Sequence, residues 1–347
     1  MENKKQNLKQ VFCWLVICCS MIAIMILIGG LTRITDSGLS MVEWNILSGI
    51  IPPLNIHDWI ELFNKYKQFP EYKLLNQNIS LDDFQFIFWM EYIHRIWGRL
   101  IFLVLLIPFI YFLKKKVIPI KLKKHFFSII VLIILQGFFG WYMVKSGLID
   151  NPNVSHYRLA IHLTTAFIIY GYLLFLTLTV YDLTYKKRSV VMINRNVFII
   201  NALLILLILL TVLSGGMVAG LNAGLVYNTF PLMGDAFVPK EIFDLNPKYL
   251  NFFENPITVQ FNHRFLGILT SILSLILWFH SKKTNLPKNI KRKIDLIVLI
   301  VFFQIAMGVS TLLSYVAIHV ALAHQFGALV LYSVSIWTLK SLPFVSK

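Results

Sequence analysis

The 347-residue chain is 57% hydrophobic and 14% charged, with a formal net charge of +16 and three cysteines; its mean hydropathy is +0.71. A soluble domain carries roughly a quarter charged residues, so soluble, disordered, collagen-like and disulfide-scaffold classes are all excluded. What remains is an all-α integral membrane protein, since each helical crossing needs roughly 20 apolar residues.

Eight apolar stretches follow one another, at 11–31, 87–113, 126–144, 157–181, 196–218, 256–280, 294–313 and 317–339. The first is too long for the apolar region of a typical signal peptide and has no clean cleavage site, which predicts a retained helix. Cys13, Cys18 and Cys19 lie within it and read as apolar filler. A long outer loop, 32–86, follows with Trp44 and Trp59 and has room for one or two short interfacial helices. With the basic N-terminus placed in the cytoplasm, the inner segments are 1–10, 114–124, 182–195, 281–295 and 340–347. They hold 21 of the 32 Lys and Arg, and among acids only Glu2, Asp182 and Asp295. This is the positive-inside pattern. The charge therefore reports topology and not a nucleic-acid partner, and it predicts a multi-pass protein of the cytoplasmic (inner) membrane with both termini cytoplasmic.

The chain also repeats itself, the mark of a duplicated architecture. GGLTRITDSGL (29–39) matches GGMVAGLNAGL (215–225), and EYIHRIWGR (91–99) matches QFNHRFLGI (260–268). Gln136 and Gly140 match Gln304 and Gly308, and LAIHLTTAFIIY (159–170) matches ALAHQFGALVLY (321–332). The expected organisation is two tandem four-helix bundles in parallel orientation. One spans 1–181 and the other 196–347, with a basic cytoplasmic linker at 182–195.

Four of the nine histidines are repeat-related: His94, His162, His263 and His324. They open the second, fourth, sixth and eighth spans, so the topology sets all four near the outer face, one pair per half. One histidine at a helix end is commonly just a wetted or capped side chain, but four at matched places form a pattern. Two histidines on facing helices of a bundle supply both axial ligands of a haem iron. Zinc would lack the remaining ligands of a tetrahedral set. Arg95, Arg99 and Arg264 suit haem propionates, or else snorkel to headgroups. Glu91 lies three residues before His94 on the same helix face, where the second half has Gln260. It reads either as a carboxylate for proton handling or charge stabilisation, or as an interfacial acid paired with Arg95. The asymmetry favours chemistry in the first half and a retained redox or structural cofactor in the second. Gln136 and Gln304 read as interhelical hydrogen-bonding groups or as lining of the haem slot.

GGLTRITDSGLSMVEW, EYIHRIWGR, HLTTA, NHRFLG and AHQFGA, taken together and in this order, resemble the haem A synthase family over nearly the whole chain. The resemblance implies oxidation of the C8 methyl group of haem O to a formyl group, by two hydroxylations and loss of water, to give haem A for cytochrome oxidase. It further implies a bound haem b on His263 and His324. The substrate haem would lie on His94 and His162, with Glu91 as the catalytic acid. Its implied partners are haem O synthase, cytochrome oxidase assembly factors and an electron-transfer partner. Some family members carry an outer-loop cysteine pair, whereas this chain has Ser40 and no outer cysteine; it is similar to the mitochondrial type. The rival readings are a non-catalytic diheme b-type cytochrome and a haem carrier or transporter.

Overall fold

The computed structural model describes residues 2–43, 48–149, 152–185 and 195–342. The helices are α1 (Glu2–Ile34), α2 (Ile56–Tyr66), α3 (Pro70–Leu74), α4 (Leu81–Lys114), α5 (Ile120–Gly147) and α6 (His156–Tyr185). They continue as α7 (Arg195–Gly220), α8 (Asn251–Glu254), α9 (Pro256–Lys282), α10 (Lys288–Leu313) and α11 (Ile318–Ser341). Among the described residues, eight are long and apolar enough to cross a bilayer, so the chain is an all-α, multi-pass membrane protein. At about 1.5 Å per residue even the shortest of these exceeds the roughly 30 Å hydrocarbon layer. Of the expected linker, Asp182 to Tyr185 extend α6 and Arg195 opens α7; 186–194, like Trp44, lie outside the described residues.

Local sequence explains where the helices begin. At α4, Ser80 and Asp83 form a reciprocal capping box, which satisfies two otherwise orphaned amides. That cap sets the helix start at Leu81, ahead of the apolar stretch at 87. The extra turns carry Phe84 ahead of that stretch, and with Ile87 and Phe88 at its start it packs into an aromatic cap with Phe63 and Tyr66. His94 consequently sits well inside α4 and does not open it. In the second half, Asn255 caps α9 ahead of Pro256 at its first turn, the position proline tolerates.

At the centre, α6 packs on both α7 and α1, and α11 packs on α1, α6 and α7. Small residues allow this approach, as expected where helices associate in lipid. A Cβ on Gly216 would come within 2.8 Å of Ala160 Cα, and Gly171 lies under the Tyr332 ring. Hydrogen bonds cross the same seam: the Tyr170 and Ser333 hydroxyls are 2.8 Å apart, and Gln325 Nε2 donates to the Ile26 carbonyl at 2.8 Å. Arg33 closes the outer end of the seam, donating to the Ala219 carbonyl at 2.7 Å and Asn222 Oδ1 at 2.8 Å. These two oxygens lie at the C-terminal end of α7, where a cation is favoured.

The two large outer loops are built differently. The first contains α2 and α3, the short helices its length allows, packed on the aromatic cap. The other, between α7 and α9, is held by amides. Asn251 Nδ2 donates to the carbonyls of Leu245 and Lys248 at 2.9 and 3.0 Å. Asn255 Nδ2 donates to the Glu241 carbonyl at 2.8 Å.

Candidate functional site

Each of the four repeat-related histidines faces a glycine on a neighbouring membrane helix. A Cβ on Gly29 of α1 would lie 3.5 Å from His94 Nε2, and one on Gly140 of α5 would lie 3.1 Å from His162 Cε1. In the second half, a Cβ on Gly215 of α7 would lie 3.1 Å from His263 Cε1, and one on Gly308 of α10 would lie 2.9 Å from His324 Cε1. Gly29 pairs with Gly215, and Gly140 with Gly308, in the sequence repeat. The glycines thus form the walls against which the imidazoles rest. His263 and His324 face one another with ring centroids 6.4 Å apart and planes at 83°. His94 and His162 are near enough to interact electrostatically.

Side chains from neighbouring helices also bond at three of the histidines. Gln136 Nε2 donates to the His162 carbonyl at 3.0 Å, and Gln304 Nε2 donates to the His324 carbonyl at 2.8 Å. The interhelical role expected of these glutamines is met here, since each bonds to another helix at the histidine's backbone. Ser214 Oγ is 2.8 Å from His263 Nδ1. The first half has Ile28 at the equivalent place. Nδ1 of His162 and Nδ1 of His324 are buried without a hydrogen-bond partner.

Glu91 is 2% exposed and fully engaged. Arg95 Nε and Nη2 donate to Oε1 at 3.1 and 2.6 Å. Ser40 Oγ donates to Oε2 at 2.6 Å and the Met41 N–H at 2.8 Å. Four donors on two oxygens fill the lone pairs of a carboxylate, which fixes Glu91 in one orientation. Arg95 also donates to the Met41 carbonyl at 2.8 Å and the Glu43 carbonyl at 3.1 Å, so its guanidinium binds the outer loop to α4. Arg99 lies one turn further along α4 and is half-buried.

The second half repeats the frame and reverses its polarity. Arg264 Nη2 donates to the Tyr227 carbonyl at 2.9 Å, the counterpart of Arg95 on Met41. Gln260, where Glu91 would be, is 3% exposed and donates Nε2 to that same carbonyl at 3.1 Å. Its Oε1 is buried without a partner, and Val226 replaces Ser40.

Comparison with known proteins agrees with this architecture. The family model COX15-CtaA, described as cytochrome oxidase assembly protein, matches residues 12–336. The chain belongs to the COX15-CtaA family. It is 46% identical over 331 residues to the Heme A synthase of Nitrosospira multiformis, covering 95% of this chain and 92% of that protein. It is 43% identical over 338 residues to the Heme A synthase of Paramagnetospirillum magneticum, covering 96% and 94%. With Heme A synthase COX15 of Bos taurus the identity is 41% over 344 residues, covering 96% and 82%.

Within this COX15-CtaA chain, the structure brings Glu91 and Arg95 into one ion pair at 2.6 Å and His263 and His324 into one ring pair. Sequence reasoning did not assign Ser40 a role, although the residue drew attention as the place where other members have cysteine. Its hydroxyl is a donor to Glu91. The glycine walls and Ser214 were also missed. Their signal was present, because Gly29, Gly140, Gly215 and Gly308 all belong to the repeat, but a glycine's neighbour across a helix interface is invisible in one sequence.

Proposed function

We propose that this chain is a haem A synthase that oxidises the C8 methyl group of haem O to a formyl group, supplying haem A for cytochrome oxidase. The halves 1–181 and 196–347 divide the work, the first taking the substrate on His94 and His162 and the second holding haem b on His263 and His324. The residues present suit a haem in each half: paired imidazoles, glycine walls that leave the rings room, and a hydrogen bond at His263 Nδ1 that leaves Nε2 for iron. When bound, haem b supplies reversible one-electron transfer.

The observation that carries this reading is Glu91: a buried carboxylate fixed by four donors in one half only, three residues from a substrate-side histidine. A fixed anion stabilises positive charge developing at an adjacent carbon without reorganising during reaction. Arg95, Ser40 and the Met41 N–H hold it in place. Arg264, whose Nε is buried without a partner, and Arg99 are the propionate candidates. Arg95 is engaged by Glu91 and the loop. The cytoplasmic membrane, with both termini inside and the haem sites toward the outer face, follows from the charge pattern. Haem O synthase, assembly factors and an electron-transfer partner are the associations this role implies.

Pigment extraction from membranes that contain the protein and a supply of haem O tests the reading. The wild type accumulates haem A, and Glu91→Gln keeps its bound-haem spectrum while haem A formation falls by about 10²-fold or more. Folded wild-type protein yielding only haems B and O would refute it. It would leave the diheme cytochrome, or the haem carrier if unmodified haem moves across the membrane.

A further inference from the structure

Glu91 is poorly suited to accept a proton, since its four lone-pair directions already face donors. Oxidising a methyl carbon to an aldehyde nevertheless requires protons to leave oxygen. A second buried carboxyl lies on the outer side of the same half. Glu71, on α3, is 5% exposed, and its Oε2 is buried without a hydrogen-bond partner. The groups facing it come from each surrounding element: the Tyr66 hydroxyl from α2, Glu91 from α4 and Asp36 from the turn after α1. Tyr66 is fully buried and packs at a tilt against Phe84 of α4, with ring centroids 5.1 Å apart. Asn76 Nδ2 donates to the Tyr66 hydroxyl oxygen at 2.8 Å. Asp36 is 77% exposed and paired with Arg33. Glu71 thus feels both the buried Glu91 and the exposed Asp36, and it is itself buried with a vacant oxygen.

We propose that Glu71 is the proton-exchange residue of the first half, taking protons released at the substrate site and passing them outward past Asp36. The proposal rests on the haem A synthase reading above. The step is a proton transfer alone. An O–H bond breaks on a hydroxyl or water at the site and one forms at Glu71 Oε2; that bond then breaks and outer water, beside Asp36, takes the proton. Glu91 keeps its charge throughout. Burial pushes the Glu71 carboxyl up to about 8; the Tyr66 hydroxyl opposes the rise, and the negative charges of Glu91 and Asp36 add to it. A group titrating near ambient pH both accepts and releases protons readily.

The experiment measures haem A formation from haem O against pH in membranes containing wild type, Glu71→Gln, Glu71→Asp or Asp36→Asn, with the bound-haem spectrum as a check on folding. Glu71→Gln cannot carry a proton, and its rate should fall at least about tenfold with the spectrum unchanged. Glu71→Asp should recover most of the rate. Asp36→Asn, at an exposed position that does not endanger folding, should move the break of the pH profile to lower pH, because it removes a negative neighbour of Glu71. A purely structural carboxyl would not transmit that shift. The proposal is overturned if Glu71→Gln keeps the wild-type rate and profile, or if Asp36→Asn leaves the profile in place. The first outcome would redirect the proton path to the cavity of about 340 Å³ lined by Ser40, Asp58 and Glu61. A wild type that makes no haem A would instead refute the underlying synthase reading, and the relay with it.

Discussion

The outer ends of the two halves are built on one frame and differ in what the frame holds. In both, an arginine directly after the histidine donates to a loop carbonyl, Arg95 to Met41 and Arg264 to Tyr227. In the first half the neighbouring side chain is a carboxylate accepting the Met41 N–H; in the second it is an amide donating to the Tyr227 carbonyl. The exchange reverses the direction of a hydrogen bond while the backbone stays in register. Ser40 and Val226 differ at the matched place too, so the Glu91 carboxylate has a hydroxyl donor and the Gln260 amide oxygen has none. The matched places thus share their backbone contacts and differ in the side chains that those contacts hold.

The largest effect separating the halves should come from the two arginines. Both Arg95 and Glu91 are buried, with side chains 7% and 3% exposed. Arg95→Ala would leave an uncompensated buried anion, at a cost of about 3–5 kcal/mol. Arg264→Ala removes only hydrogen bonds to carbonyls and should cost about 1–3 kcal/mol. Thermal unfolding in detergent compares the two directly, and equal losses would break the asymmetry. The double variant Arg95→Ala/Glu91→Gln should regain part of the loss, because no buried charge remains.

Much of this was legible in the sequence, for physical reasons. Bilayer thickness forces a long apolar signal, so the eight spans and the all-α class are plain from composition and from the lysines between the helices. The repeat exposed His94, His162, His263 and His324, and the Glu91–Gln260 difference. Legibility failed where a residue acts through an element distant in sequence. Ser40 lies 51 positions from Glu91, and Glu71 sits in a loop whose periodicity was too weak to place α3 within it. The start of α4 was misplaced because hydropathy marks where lipid begins, whereas Ser80 and Asp83 mark where the helix begins. Arg95 shows a further limit. Its type and position suit a propionate as well as the pairing with Glu91, and the structure decides for Glu91 and adds two loop carbonyls.

A smaller effect isolates the hydroxyl. Ser40→Ala leaves Glu91 paired with Arg95 and Met41 but removes its 2.6 Å donor. A hydrogen bond to a charged group is worth about 1.5–3 kcal/mol, so haem A formation should fall by roughly tenfold or more. Val226→Ser in the other half has no carboxylate to serve and should leave the rate unchanged. If both variants behave alike, Ser40 is packing and not a support for Glu91.

The smallest effect concerns the glycine walls, where the halves differ by tenths of an ångström. At Gly308 an added methyl would meet His324 at 2.9 Å, and at Gly29 it would meet His94 at 3.5 Å. The second distance is ordinary van der Waals contact and the first is not. Gly308→Ala must therefore tilt the His324 ring, and overpacking of this kind costs about 1 kcal/mol at its lower end. That corresponds to roughly a fivefold loss of haem occupancy in the second half. Gly29→Ala should leave occupancy of the first half at its wild-type level. Optical titration of the purified variants with haem distinguishes them, and the order matters more than the size. A larger loss from Gly29→Ala than from Gly308→Ala would reverse the order that these distances set.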